Sequence, residues 1–281
     1  DSSGAASFTV AFSFYAVVFT FHDNSGTATL DTNIPSYTVS YNANGGSGAP
    51  NPSTVTPGGS FTLPSAPTGS PTGYHAENKW NTKSDESGTS YAVGASYTPS
   101  SSHTLYAEWD PNTYTVTYNG NGATGGSTSN SSHTYNSAKT LTANGFTRQY
   151  LVSFNSNGGS STSALTASYS FKNWNANSAG TSTSYNNQQS VSNLTSTNGG
   201  TVTLYAQWNS GSVTLPVVSK AGYLFRGWAT TSGATTASYQ GGSSYTPTAN
   251  ITLYAVWQEI EGYDDNIIYI KVNNTWVLSK H

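Results

Sequence analysis

The chain of 281 residues has no cysteine and no methionine, and it carries only 9 Lys and Arg against 12 Asp and Glu. Without cysteine there is no disulfide, no thiolate nucleophile and no cysteine-ligated metal in any compartment. Charged residues make up 7% of the chain, where a soluble domain carries about 25%. With a net charge of -3 and no Lys/Arg cluster, nothing would displace counterions from a phosphate backbone, so no nucleic-acid partner is expected. No stretch approaches the roughly 20 apolar residues of a membrane span. The histidines, His22, His75, His103, His133 and His281, are scattered without HExxH-type spacing and are read as surface or loop residues. No catalytic residue and no cofactor is expected, and the chain is read as non-enzymatic. The missing methionine, even at residue 1, fits a chain that has lost a leader on export or during particle assembly.

What the chain does have is Gly, Ser, Thr and aromatics: 28 Gly, 20 Tyr, 10 Phe and 7 Trp. Disordered chains are poor in aromatic and β-branched residues because they bury too little apolar surface to offset ordering entropy. This one is read as folded and mainly β, with Thr, Tyr and Val on pleated surfaces and Gly, Asn, Ser and Pro in the turns between them.

Six of the seven tryptophans fall into three pairs on a common ruler. Trp80, Trp174 and Trp228 are each followed eleven residues later by a tyrosine, Tyr91, Tyr185 and Tyr239. Each pair closes on a Leu-Tyr-Ala-x-Trp block, ending at Trp109, Trp208 and Trp257. The pairs span 29, 34 and 29 residues. Such a fixed ruler is what a repeating core demands, so these six tryptophans are read as repeat core. A front half recurs separately, as an alternating strand running into an Asn-Gly turn: Tyr37 to Tyr41 with Asn44-Gly45, Tyr114 to Tyr118 with Asn121-Gly122, and Tyr150 to Phe154 with Asn157-Gly158. A degenerate fourth copy lies at Val17 to Phe21.

The YTVxYNxNGG strand-turn, the Gly222-Tyr223-Leu224-Phe225-Arg226-Gly227-Trp228 core, the Gly88 to Tyr91 turn and the terminal TLYAxW block together resemble the Listeria-Bacteroides repeat, the internalin B-repeat type, over about Tyr37 to Trp257. The resemblance implies tandem small β-grasp-like modules without catalytic residues, such as occur in bacterial surface proteins and some virion proteins. Its expected organisation is an N-terminal strand region (1–36), repeat 1 (37–109), repeat 2 with a duplicated front strand (110–208), a truncated repeat 3 without a front half (209–257), and a linker with a C-terminal β-hairpin (258–281). The string Ile268 to Trp276 resembles the terminal hairpin of some phage structural proteins, and no LPxTG-like sorting signal is present.

A back half alone leaves a sheet edge open to another strand. Two segments could fill the edge of repeat 3. One is the spare front strand from the middle of the chain. The other is the alternating N-terminal segment, with Phe8, Val10, Phe12, Phe14 and Val18 as assembly residues; donated to the next copy, it would build a fibre of the protein with itself. The function read from these features is a structural or adhesive surface protein, extracellular or on a cell or virion surface, with copies of itself and a host-surface glycan or protein as partners. The alternative is a carbohydrate-binding array using exposed Trp and Tyr. Asp85-Glu86 is read as a solvated turn. The acidic group Glu259, Glu261, Asp264 and Asp265 is a weak Ca²⁺ candidate, since it lacks an Asp-x-Asp-x-Asp-Gly loop. Sequons at Asn130, Asn193, Asn250 and Asn273 are expected by chance in so Ser/Thr-rich a chain.

Overall fold

A computed structural model describes residues 35–261 in full and the backbone of Thr9–Phe12, Tyr15–Val18, Ile267–Val272 and Thr275–Lys280. The described residues form strands and turns, with no helix among them. Alternation of core and outward residues makes the strands: Val39 and Tyr41 are buried while Thr38 and Ser40, which alternate with them, face outward.

Module 1 is a five-stranded sheet in the order Ser53–Val55, Tyr37–Asn42, His103–Pro111, Tyr74–Asn81, Ser90–Ala92. We call Tyr37–Asn42 its front strand, Tyr74–Asn81 its opening-Trp strand and His103–Pro111 its closing strand. Front and closing strands are parallel, with Val39 opposite His103 and Asn42 opposite Tyr106. A short ribbon of Phe61–Thr62 with Ser96–Tyr97 caps the core and delivers the buried Leu63.

The second sheet has nine strands and contains two modules. Module 2 uses the front strand Thr113–Asn119, the opening-Trp strand Leu165–Asn175 and the closing strand Gly200–Asn209. Module 3 uses the opening-Trp strand Tyr223–Ala229 and the closing strand Ile251–Glu259. Its front strand is Phe146–Asn155, which pairs in parallel with the closing strand, Val152 opposite Ile251 and Asn155 opposite Tyr254. This is the register of module 1, position for position.

Two expectations from sequence are corrected by this pairing. The strand counted as a duplicate front of repeat 2 belongs to module 3, and repeat 3 is not truncated. The reason is the core: Val152 is fully buried against Trp228, Leu215 and Leu253, and Phe154 packs on the same cluster. The halves are therefore interleaved. In module 1 a short link joins Gly69, bridged to Ser47, to the opening-Trp strand at Tyr74. In module 2 the corresponding bridge is Gly125–Gly126 to Phe146 and Thr147, and a hairpin of module 3 follows before the chain resumes at Tyr169. Strand Leu165–Asn175 serves both modules. Its first half pairs with the front strand of module 3 from Arg148 to Val152, and its second half pairs with the closing strand of module 2 from Ser170 to Asn175.

By compactness the chain divides into 1–114 with 133–138 and 192–200, and 115–132 with 139–191 and 201–281. At the N-terminus Thr9–Phe12 pairs antiparallel with Tyr15–Val18, which places Val10 opposite Val17 and Phe12 opposite Tyr15. Phe8, Phe14 and most of the degenerate fourth front half lie outside the described residues. Ile267–Val272 and Thr275–Lys280 form the C-terminal hairpin, Val272 opposite Thr275.

Candidate functional site

The front half and the back half of each module meet along one seam, and the repeated residues concentrate there. Trp80, Trp174 and Trp228 are completely buried. The last core aromatic of each front strand leans on its tryptophan with the same geometry: Tyr41 on Trp80 at 4.8 Å and 55°, Tyr118 on Trp174 at 4.7 Å and 53°, Phe154 on Trp228 at 4.8 Å and 56°. The third contact joins residues of different modules in sequence order, yet it matches the others.

The closing tryptophans cross the seam. Their indole Nε1 groups donate to the Asn-Gly turn after each front strand: Trp109 to Ala43 O at 2.9 Å, Trp208 to Gly120 O at 3.0 Å and Trp257 to Ser156 O at 2.9 Å. Trp109 is buried, while Trp208 and Trp257 are half-buried. In modules 1 and 3 the ring lies on a glycine: a Cβ at Gly46 would stand 2.6 Å from Trp109, and one at Gly159 2.4 Å from Trp257.

An asparagine pair completes the seam. Asn42, Asn119 and Asn155 accept the N–H of Asn44, Asn121 and Asn157 through Oδ1. The latter three sit at φ of 47°, 45° and 47°, a left-handed turn that asparagine tolerates. Their Nδ2 groups then donate to the alanine carbonyl of the Leu-Tyr-Ala-x-Trp block: Ala107 at 3.0 Å, Ala206 at 2.9 Å and Ala255 at 2.7 Å. The Asn-Gly turn is legible in sequence; its bond to a residue 63 or 98 positions later is a tertiary contact that no local pattern announces.

The modules also differ. Trp80 and Trp228 donate to Pro64 O and Pro216 O, but Trp174 Nε1 has no partner among the described residues, and the sequence has Leu141-Thr142 where the other modules have Leu-Pro. An unmet buried donor costs about 1–3 kcal/mol, so module 2 has the weakest core-to-ribbon tie. Module 1 alone has a buried acid at its seam. Asn81 Nδ2 donates to Glu108 Oε1 at 2.6 Å, and Ser90 Oγ donates to the same oxygen. Burial pushes the Glu108 carboxyl up, but the hydrogen bonds from Ser90 and Asn81, with the Lys79 ammonium nearby, outweigh it and hold the carboxyl below its ordinary range. Gln207 and Val256 occupy this position in modules 2 and 3.

Between the closing strand of module 1 and the front strand of module 2 stands one residue, Asn112, and all its polar groups are used. Its N–H donates to Gly73 O, its C=O accepts from Tyr135 N–H, Nδ2 donates to Ser196 O at 2.8 Å, and Oδ1 meets His75 Nδ1 at 2.8 Å. A lone asparagine in a chain rich in asparagine gave no sequence signal for this joint.

Asp85 accepts bonds from the N–H and Oγ of Ser87, and Glu86 from Trp109 N–H. Glu259 and Glu261 are exposed at the end of the last closing strand, and Asp264 and Asp265 lie outside the described residues. Among the described residues no three His, Cys, Asp or Glu gather as metal ligands. None of them forms a helix able to cross a membrane.

The family model described as the Listeria-Bacteroides repeat domain matches residues 37–108, 162–207 and 196–256. No curated protein matches the chain. The matched residues end before the C-terminal string Ile268 to Trp276, whose expected resemblance to phage structural proteins finds no support.

Proposed function

Since the chain belongs to the Listeria-Bacteroides repeat domain family, we propose that it is a non-enzymatic spacer of a bacterial or virion surface, built to hold its length under tension. The observation that carries this reading is the pairing of entry and exit strands. In module 1 the chain enters through Tyr37–Asn42 and leaves through His103–Pro111, and these strands are neighbours and parallel. Pulling on entry and exit draws two parallel strands past each other along their axes. Every bond of the ladder is then loaded together, where an antiparallel hairpin would open one bond at a time. The Trp109 and Asn44 bonds cross the same seam and resist the same slide. Module 3 repeats the arrangement from Val152 opposite Ile251 onward.

Extracellular placement suits this reading, because a surface of Ser, Thr, Asn and Gly stays hydrated and has few charges for salt to screen. Fibre growth through residues 8–18 loses its structural motive: the open edge of repeat 3 that called for a donated strand is filled by Phe146–Asn155 of the same chain.

The cysteine-free chain allows the reading to be tested by single-molecule pulling through introduced cysteine handles. Handles at Ser36 and Thr113 load module 1 along the seam, whereas handles at Ser36 and Ser102 peel the same strands from one end. Unfolding force is expected to be several-fold higher with the first pair. Equal forces from the two pairs would refute the tension-bearing role.

A further inference from the structure

We propose that the outward face of each seam is a binding site for neutral saccharide chains, so that the protein carries three equivalent glycan contacts centred on Tyr106, Tyr205 and Tyr254. The closing strands alternate, and the tyrosine of Leu-Tyr-Ala-x-Trp points away from the buried Leu and Ala. Opposite it on the front strand stands an exposed asparagine: Asn42 faces Tyr106 and Asn155 faces Tyr254 in the parallel register. Asn119 takes the same motif position on the front strand of module 2, which neighbours the closing strand that carries Tyr205. One step back on this face lie paired hydroxyl residues: Ser40 opposite Thr104, Ser153 opposite Thr252, and Thr117 Oγ1 at 3.0 Å from Thr203 Oγ1.

The fold does not explain these groups. In each turn Asn Oδ1 is spent on the turn itself, but among the described residues Nδ2 of Asn42, Asn119 and Asn155 and the hydroxyl of all three tyrosines have no hydrogen-bond partner. The core position two residues before the turn offers a comparison. There Tyr41 and Tyr118 bond Ser53 and Ser131 through their hydroxyls, and module 3 dispenses with that bond by using Phe154. On the outward face all three modules keep a hydroxyl that bonds nothing among the described residues. Two residues further along each closing strand the modules differ, with Glu108 and Val256 buried and Gln207 half-buried, so positions of this strand are not constant merely because the modules are copies.

The chemistry of the constant set selects the ligand. A half-buried tyrosine ring offers an apolar face for the C–H side of a pyranose and a polar tip at its rim. The free amide supplies two donors, and the hydroxyls both donate and accept. No charged residue is common to the three faces, which favours a neutral sugar over an anionic or cationic one. A single shallow face binds weakly, but three on one chain gain avidity of about 10²–10⁴-fold on a polymeric ligand.

The test is native affinity electrophoresis of the full chain in gels cast with soluble mannan, mixed-linkage β-glucan or galactan. Retardation is expected in at least one gel. It should be abolished in the Tyr106→Ala, Tyr205→Ala, Tyr254→Ala triple variant and weakened at least tenfold in the corresponding triple Phe variant, which keeps the rings and guards against a folding defect. Unretarded migration in all three gels would overturn the proposal, as would retardation left unchanged by the triple Phe variant. Neither outcome bears on the pulling measurement, which concerns the opposite side of the seam's chemistry.

Discussion

A chain ended at Asn209 is expected to lose the native packing of module 2, although it contains every residue of that module. The hairpin that leads into the opening-Trp strand of module 2 belongs to module 3, and in the truncated chain it has no partner. Val152, fully buried in the whole protein, would be uncovered together with Phe154 once Trp228, Leu215 and Leu253 are gone. The edge from Val152 to Asn155 would lose Ile251 to Tyr254 and present unpaired N–H and C=O groups. Tyr169 would lose its hydrogen bond to Pro247 O. The shared strand would thus be apolar and open on its first half while trying to fold on its second. Size-exclusion chromatography and near-UV circular dichroism should find association and loss of aromatic asymmetry, compared with a chain ended at Glu261. Modules strung one after another would give a monomer with module 2 intact.

The second large effect concerns the tryptophans. Trp228→Ala removes a completely buried side chain and is expected to cost about 3–5 kcal/mol, a large share of the 5–15 kcal/mol that stabilises a domain. Its consequence should not stop at module 3. Trp228 holds Phe154, the front strand holds the first half of Leu165–Asn175, and the second half of that strand holds Leu204 and Ala206 of module 2. Hydrogen exchange should therefore show lost protection in Gly200–Asn209 as well as in Ile251–Glu259. Trp174→Ala should weaken the same two strands. Protection in Gly200–Asn209 left untouched by Trp228→Ala would mean the two modules open independently.

How much of this was readable beforehand varies with the range of the interaction. The three Trp pairs and their Leu-Tyr-Ala-x-Trp endings mark opening and closing strands correctly, since the spacing between strands of one sheet is carried by the chain itself. The Asn-Gly turns are equally local. Four front halves against three back halves showed that a strand was to spare and offered its use in repeat 3 as one of two choices. Which front half served which back half was hidden, because Thr113–Asn119 and Phe146–Asn155 show the same alternation and turn, and adjacency in sequence argues for the wrong partner. The deciding contacts, Phe154 on Trp228 and Asn157 on Ala255, span residues that no window holds together. The outward tyrosines were masked for a different reason. They sit inside a motif whose Leu, Ala and Trp are core, and only the alternation of an observed strand separates the one residue that faces out.

The interleaving itself can be tested by a single covalent trap. The chain has no cysteine, so Ser153→Cys with Thr252→Cys introduces one possible disulfide between register partners of the parallel pair in module 3. Ser40→Cys with Thr104→Cys does the same in module 1, where front and closing strands follow one another in sequence. Under mild oxidation both variants are expected to form the intramolecular disulfide to a similar extent in the monomer, read as a mobility shift on non-reducing gels and as one linked peptide pair by mass spectrometry. A Ser153/Thr252 variant that stays reduced, or links only between chains, while the Ser40/Thr104 variant closes would contradict the interleaved fold.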